Sequence, residues 1–201
     1  VERVHKKLAI VASDSKLCGI SSYARQLSKN LGAVFDIVYV PLDQTIMRDP
    51  SLPGKRLAEE VIDAALGVIK TCDWVNIHLE PGTFGPSKNE ITVRFQQLVE
   101  ASPKLIVTFH SMARPHPPQT IIRLANLVGG RIGRYLHTYA AQRMCPDAMW
   151  TELFGTLKRY EENRELFLLA HTPGDKRFLE KQLGFKRADD HPLCYLTKAN
   201  S

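Results

Sequence analysis

Short apolar runs suited to buried strands alternate along this chain with segments whose apolar residues recur at helical spacing, and this alternation constrains the fold most. Strands that alternate with helices of this length form right-handed βαβ units, in which helices cover both faces of a parallel sheet. The sequence therefore predicts an α/β fold, a single Rossmann-like domain over residues 1–201. The predicted strands are residues 7–13, 34–40 (stopped by Pro41), 74–79, 105–109 and 166–170.

The segments between these strands have the spacing of helices that pack one face against a sheet. We expect the first helix to begin at Gly19 and the last at a Thr172 cap. Residues 45–54 contain two prolines and predict a surface loop. Residues 121–144 predict a helix that is broken near Gly129.

The composition of the 201 residues, 44% hydrophobic and 24% charged, is that of an ordinary soluble globular protein. No apolar run approaches the roughly 18 residues of a membrane-spanning helix. The four cysteines form no Cys-x-x-Cys pair, which argues against a zinc ribbon or a redox motif and favours buried thiols of a cytoplasmic protein.

The net charge of +6 favours an anionic partner, such as a nucleotide, a lipid phosphate, a membrane surface or nucleic acid. Lysine and arginine are spread along the chain, so a solvated basic surface explains the charge at least as well. Without a basic cluster we expect no nucleic-acid partner.

Polar residues follow four of the predicted strands, at the edge of a parallel sheet where ligands collect. Three of these four positions carry a histidine. The sequence therefore predicts that the residues at these positions meet at one edge of the sheet. They are Gly19 after the first strand, His78 and Glu80 at the third, His110 and Ser111 after the fourth, and His171 after the fifth.

Each of these residues has a functional and a structural interpretation. His110 suits a general base or a charge-stabilising group, and equally a hydrogen-bonded residue at a strand end. Glu80 suits a group that orients a histidine or a hydroxyl, but a solvated carboxylate is the favoured interpretation. The loop of Cys18, Gly19 and Ser21 presents backbone N–H groups for an anion, or forms a tight turn capped by a serine. No metal site is expected, because no His-Glu-x-x-His motif occurs.

Three arginines, Arg123, Arg131 and Arg134, lie along the predicted helix that glycines interrupt. Their charges suit a phosphate-bearing acceptor or a membrane surface. A solvated helix face explains them as well.

Several segments resemble retaining GT-B glycosyltransferases of family 4, in the order that this family has them. The opening of the family is similar to Leu8-Ala-Ile-Val-Ala-Ser13 followed by Cys18-Gly-Ile-Ser-Ser-Tyr-Ala-Arg-Gln-Leu27. Its later segments are similar to Asp73-Trp-Val-Asn-Ile-His-Leu-Glu-Pro-Gly82, Ile106-Val-Thr-Phe-His110 and His171-Thr-x-x-x-Lys-Arg-Phe-Leu179. The resemblance covers nearly the whole chain.

The resemblance implies the N-terminal, acceptor-binding half of an enzyme with two Rossmann-like domains. Such an enzyme moves sugar from a nucleotide sugar donor to a glycan or lipid-linked acceptor in polysaccharide biosynthesis, without a metal or another cofactor. By position, the loop of Gly19, Cys18 and Ser21 approaches the donor phosphates. His110 would lie beside the transferred sugar, and the expected catalytic residues are His110 and Glu80. Substrate contacts are expected for His78, Ser111 and Arg123.

The sequence departs from the family at two places. Cys18 replaces the first glycine of the usual pair, which narrows the approach to a phosphate. The Glu-x7-Glu signature of the donor-binding domain is absent, so we expect that the C-terminal domain is missing and that the chain is inactive alone. The expected location is cytoplasmic, with peripheral contact to the inner face of the membrane as a further expectation.

Two alternatives to the acceptor-binding half stay open. A nucleotide- or NAD-binding Rossmann protein would use Asp43, at the end of the second strand, to meet a ribose. The missing Gly-x-Gly-x-x-Gly counts against it. A lone GT-B-like half would act as a non-catalytic module.

Overall fold

A computed structural model describes residues 5–15, 18–112, 119–142 and 147–191 of the chain. Its strands form one parallel sheet in the order β2-β1-β3-β4-β5-β6, so all their carboxyl ends lie at the same edge. This arrangement confirms the predicted Rossmann-like α/β class. The strands are β1 (Lys6–Asp14), β2 (Phe35–Asp43), β3 (Trp74–Leu79), β4 (Leu105–Phe109), β5 (Leu166–Ala170) and β6 (Ala188–Asp190).

Helices connect the strands, and the central strands of the sheet are buried on both faces. The five consecutive residues from Leu8 to Ala12 on β1 are at most 1% exposed. Because successive strand residues point to opposite faces, this burial requires cover on both sides. The helices are α1 (Gly19–Leu31), α2 (Gln44–Met47), α3 (Leu52–Ile69), α4 (Lys88–Ala101), α5 (Gln119–Val128), α6 (Gly130–Gln142), α7 (Ala148–Asn163) and α8 (Pro173–Arg177), which continues as a π-helix (Phe178–Gln182).

The structure corrects two predictions around the second strand. β2 does not stop at Pro41 but runs on to Asp43. Proline is tolerated there because β2 is an edge strand. The expected loop at 45–54 was wrong as well, because α2 occupies its start and α3 begins at Leu52 behind a Ser51 cap.

Local signals at two other helix ends were confirmed. α5 and α6 are separated by Gly129, whose φ of 60° is left-handed and ends the first of them. Thr172 caps α8 by accepting a 3.1 Å hydrogen bond from the N–H of Asp175. The first helix, by contrast, begins behind Cys18 with no side-chain cap.

The chain divides into two compact units. The first comprises residues 1–111 and 155–201 and contains the sheet. The second comprises residues 112–154 and contains α5, α6 and the start of α7. Within the described ranges, no helix is both long enough and apolar enough to cross a membrane.

Candidate functional site

An open cleft lies at the carboxyl edge of the sheet, where the strand order reverses. The chain leaves β1 for β2 on one side, and β3 continues the sheet on the other side. Such a switch point leaves a crevice between the two strand ends. The cleft measures about 440 Å³, within the usual range of small-molecule sites. Its lining residues are Ser15, Cys18, Gly19, Ile20, Gln44, Glu80 and His110.

The first wall of the cleft is the loop that leads into α1. Cys18 precedes the helix and donates its own N–H to the carbonyl of Ser15 at 3.1 Å. The N–H groups of the first helical turn have no partner within the helix, and Cys18 supplies no side-chain cap for them. The turn that begins at Gly19 therefore directs backbone N–H donors and the positive end of the helix dipole toward the cleft.

Glu80 supplies the acidic group of the cleft. It follows β3 directly, and its carbonyl accepts the N–H of Thr83 at 2.8 Å in a short 3-10 turn. Its carboxylate makes no side-chain hydrogen bond or ion pair with the described residues. Both oxygens are therefore available to accept hydrogen bonds from a ligand.

Three histidines at the cleft, His78, His110 and His171, are hydrogen bonded in a row, which we call the relay. His78 Nδ1 lies 2.8 Å from His110 Nε2, and His110 Nδ1 lies 3.4 Å from His171 Nε2. His171 Nδ1 lies 2.9 Å from the backbone carbonyl of His191. The relay thus runs from a fully buried ring, through a ring that lines the cleft, to the backbone after β6.

The carbonyl at the end of the relay sets the tautomer of every ring in it. A carbonyl only accepts, so His171 carries its proton on Nδ1. In the neutral rings His171 Nε2 then accepts from His110 Nδ1, and His110 Nε2 accepts from His78 Nδ1. This order leaves the buried His78 Nε2 as a bare acceptor, and that atom has no partner among the described residues.

The surroundings of the relay keep its rings uncharged. Burial, with a smaller effect of the His171 ring, lowers the pKa of His110 to about 4. Burial and the two neighbouring imidazoles hold the pKa of His78 well below its ordinary value. Burial also lowers the pKa of His171, although the hydrogen bond to His191 opposes this shift. All three rings are therefore neutral near pH 7.

Tyr23 on α1 packs against the whole relay. Its ring meets those of His78, His110 and His171 edge-on, with centroids 5.7, 5.5 and 5.6 Å away. Its hydroxyl lies 3.4 Å from His191 Nδ1. The aromatic face of α1 thus holds these imidazoles in place at the sheet edge.

The predicted site residues divide into those that line the cleft and those that do not. His110, Glu80, Gly19 and Cys18 line it together. His78 is buried and contacts His110, and Ser21 is buried with its hydroxyl at Tyr39. Ser111 and Arg123 are exposed and do not line the cleft, and Arg123 belongs to the helical unit. The roles of all these residues stay predictions.

The site also contains partners that the sequence did not single out, namely Tyr23 and His191. A signal for the histidines was present, since neighbouring parallel strands lie about 4.8 Å apart and residues at their ends become neighbours. No such signal marks Tyr23, because its place depends on how α1 crosses the sheet.

A groove continues from the cleft along α2. It measures about 550 Å³ and shares Ser15 and Gln44 with the cleft. Arg48 lines the groove and donates Nε to the carbonyl of Gly82 at 2.7 Å. The Arg48 guanidinium therefore lies beside the cleft, and its hydrogen bond to the backbone after β3 holds it there.

The geometry also bears on two other ligands, a dinucleotide such as NAD and a metal ion. Asp43 caps α2, and its Oδ1 accepts the N–H groups of Thr45 and Ile46 at 2.7 and 3.3 Å. Within the described ranges, no three His, Cys, Asp or Glu side chains are arranged to hold a metal ion. In the relay, the nitrogens of adjacent rings pair with each other and do not converge on one point.

Comparison with protein-family models, curated proteins and solved structures found no match, so the function is proposed from the geometry of the site and the resemblance of the sequence.

Proposed function

We propose that this chain provides the acceptor-side half of a retaining glycosyltransferase, which moves sugar from a nucleotide sugar to a glycan or lipid-linked acceptor. The observation that most supports this proposal is the cleft, because it joins the Gly19 turn, Glu80 and His110 at the switch point of the sheet. The sequence resemblance implies that the Gly19 turn approaches the donor phosphates and that His110 lies beside the transferred sugar. The proposed location is the cytoplasm.

The polar groups of the cleft suit a sugar. Glu80 offers a carboxylate that has no side-chain partner among the described residues and accepts hydrogen bonds from hydroxyl groups. The described lining of the cleft contains no lysine or arginine, and the first turn of α1 is its group that attracts a phosphate. In the proposed half-site, a partner domain supplies most of the affinity for a nucleotide diphosphate.

The proposed contribution of His110 is contact with the transferred sugar as a neutral imidazole. With a pKa of about 4 it is a weak base at neutral pH and does not carry a stabilising positive charge. Both ring nitrogens are engaged in the relay. A hydrogen bond to a sugar hydroxyl therefore requires the longer of its two contacts, the 3.4 Å one to His171, to open.

The NAD alternative receives less support. A ribose bound at the end of β2 would compete with the backbone N–H groups that Asp43 already caps. The turn after β1 has one glycine instead of three.

Titrations followed by nitrogen-15 NMR test the proposal on the chain itself. UDP-, GDP- and ADP-sugars and a panel of oligosaccharides are added in turn, with NAD as the comparator. We expect weak binding, with shifts at Gly19, Glu80 and His110. Shifts caused by NAD alone and centred on Asp43, or no shift in the cleft at millimolar ligand, would contradict the proposal.

A further inference from the structure

The helical unit carries an exposed apolar patch on α5 and α6. Nine large hydrophobic side chains are exposed in the part of the chain that the structure describes, and five of them lie within residues 124–135. Single exposed hydrophobic residues are ordinary, but five of them on two consecutive helices indicate an interaction surface. The patch consists of Leu124 (50% exposed), Leu127 (85%), Val128 (49%), Ile132 (63%) and Tyr135 (70%).

The spacing places these residues in one stripe on each helix. Leu124, Leu127 and Val128 are related by three and four positions, which is the spacing of one helix face. Ile132 and Tyr135 repeat the three-residue spacing on α6. Each helix is therefore amphipathic, with its apolar stripe directed to solvent.

The small residues of the unit form the contact between the two helices. Ala125 is 2% exposed and Gly133 is buried. A Cβ added to Gly133 would lie 2.6 Å from the carbonyl oxygen of Ala125, so the helices approach closely there. This contact buries the small residues and leaves the apolar stripes uncovered.

Basic side chains lie beside the patch on both helices. Arg123 and Arg131 are exposed beside the stripes, and Arg134 is exposed on α6. The chain has no aspartate or glutamate between Glu100 and Asp147. An amphipathic surface with basic flanks, on two helices that contain no acidic residue, suits the headgroups of anionic lipids.

We propose that α5 and α6 dock on the surface of an anionic lipid bilayer. The apolar stripes enter the boundary between headgroups and acyl chains, and Arg123 and Arg131 bind lipid phosphates. A second copy of the chain fits less well, because like patches would place Arg123 and Arg131 against the same charges with no acid in the segment. This docking does not depend on the function proposed for the cleft.

Sedimentation of the 201-residue chain with vesicles tests the proposal. One set of vesicles contains phosphatidylcholine alone, and the other contains about 30% phosphatidylserine. We expect binding to the second set, weakened by salt. Arg123→Glu or Arg131→Glu should each weaken it about fivefold or more. Leu127→Asp should weaken it about tenfold or more.

Two matched variants in the sheet unit serve as controls. Leu52→Asp changes a leucine that is 77% exposed, and Arg56→Glu reverses an exposed charge on α3. Both should bind like the wild type, and circular dichroism should report the same helix content for every variant. No binding to anionic vesicles, equal binding to both vesicle types, or equal loss in the controls would overturn the proposal. The proposal would also be overturned if the chain did not bind vesicles but associated with itself, and if Leu127→Asp abolished that association.

Discussion

Nδ1 of His78 lies 2.8 Å from Nε2 of His110, so a fully buried imidazole is hydrogen bonded to one that lines the cleft. The tautomer of His110 is set from its other side, where His110 Nδ1 donates to His171 Nε2. The carbonyl of His191 in turn holds the proton of His171 on Nδ1.

The first prediction concerns the tautomers of the relay. His171→Phe keeps an aromatic ring beside Tyr23 but removes the acceptor for His110 Nδ1, so the protonated nitrogen of His110 is no longer imposed. Long-range nitrogen-15 NMR should find His110 protonated on Nδ1 in the wild type and a mixture in the variant. His191→Ala is the control, because it keeps the backbone carbonyl. An unchanged pattern in His171→Phe would refute the relay.

The second prediction concerns stability against pH. The folded pKa of His110, about 4, lies below the ordinary 6.5, so the folded state binds fewer protons than the unfolded state between these values. The stabilisation is complete above pH 6.5 and is lost as the pH falls toward 4. At pH 4.5 the titration of this histidine should lower the unfolding free energy by about 2–3 kcal/mol.

Urea unfolding of the wild type and of His110→Gln between pH 7 and pH 4.5 isolates this contribution. The variant is expected to lose stability less steeply with falling pH, whatever its stability at pH 7. Parallel curves would show that His110 titrates in the folded protein as it does in a free peptide.

The third prediction compares two glycines. A Cβ at Gly82 would overlap a guanidinium nitrogen of Arg48, whereas a Cβ at Gly67 has no heavy atom within 4 Å. Gly82→Ala should displace Arg48 from the carbonyl that anchors it and lower the unfolding free energy by about 1 kcal/mol. Gly67→Ala, within α3, should raise it by roughly 0.5–1 kcal/mol. Thermal or urea unfolding measures both, and the same sign for the two would contradict the described packing.

The fourth prediction concerns the buried arginine that supports the turn after Glu80. Arg94 is 2% exposed, donates to Glu59 Oε1 at 2.9 and 2.8 Å, and donates to the carbonyl of Phe84 at 2.9 Å. Arg94→Leu should leave these acceptors unpaired and cost about 3 kcal/mol. Glu59→Gln, at a side chain that is 53% exposed, should cost less. Equal losses would mean that the backbone contact is unimportant.

Much of the sheet could be predicted from the sequence, because its central strands are buried on both faces and appear as continuous apolar runs. β3, β4 and β5 have the predicted bounds for this reason. β6 (Ala188–Asp190) has only three residues, two of them aspartates, and no apolar pattern marks it. The end of β2 was predicted too early, at Pro41, because the edge position that tolerates a proline is a property of the whole sheet.

The site was predictable to a smaller extent. That His78, His110 and His171 lie at one edge follows from parallel strands that end together. The order of hydrogen bonds among them depends on side-chain rotamers, which one-dimensional spacing does not contain. The burial of Ser21 likewise depends on how α1 rests on the sheet.

Sugar transfer by the complete enzyme, with any donor-binding domain present, tests the central claim most directly. The variants to compare are His110→Ala and, as a control, His5→Ala at an exposed histidine before β1. The proposed contact with the transferred sugar predicts that His110→Ala lowers turnover by a factor on the order of 10² or more, with the control unchanged. Near-normal turnover of His110→Ala would contradict the account and leave this histidine a structural member of the relay.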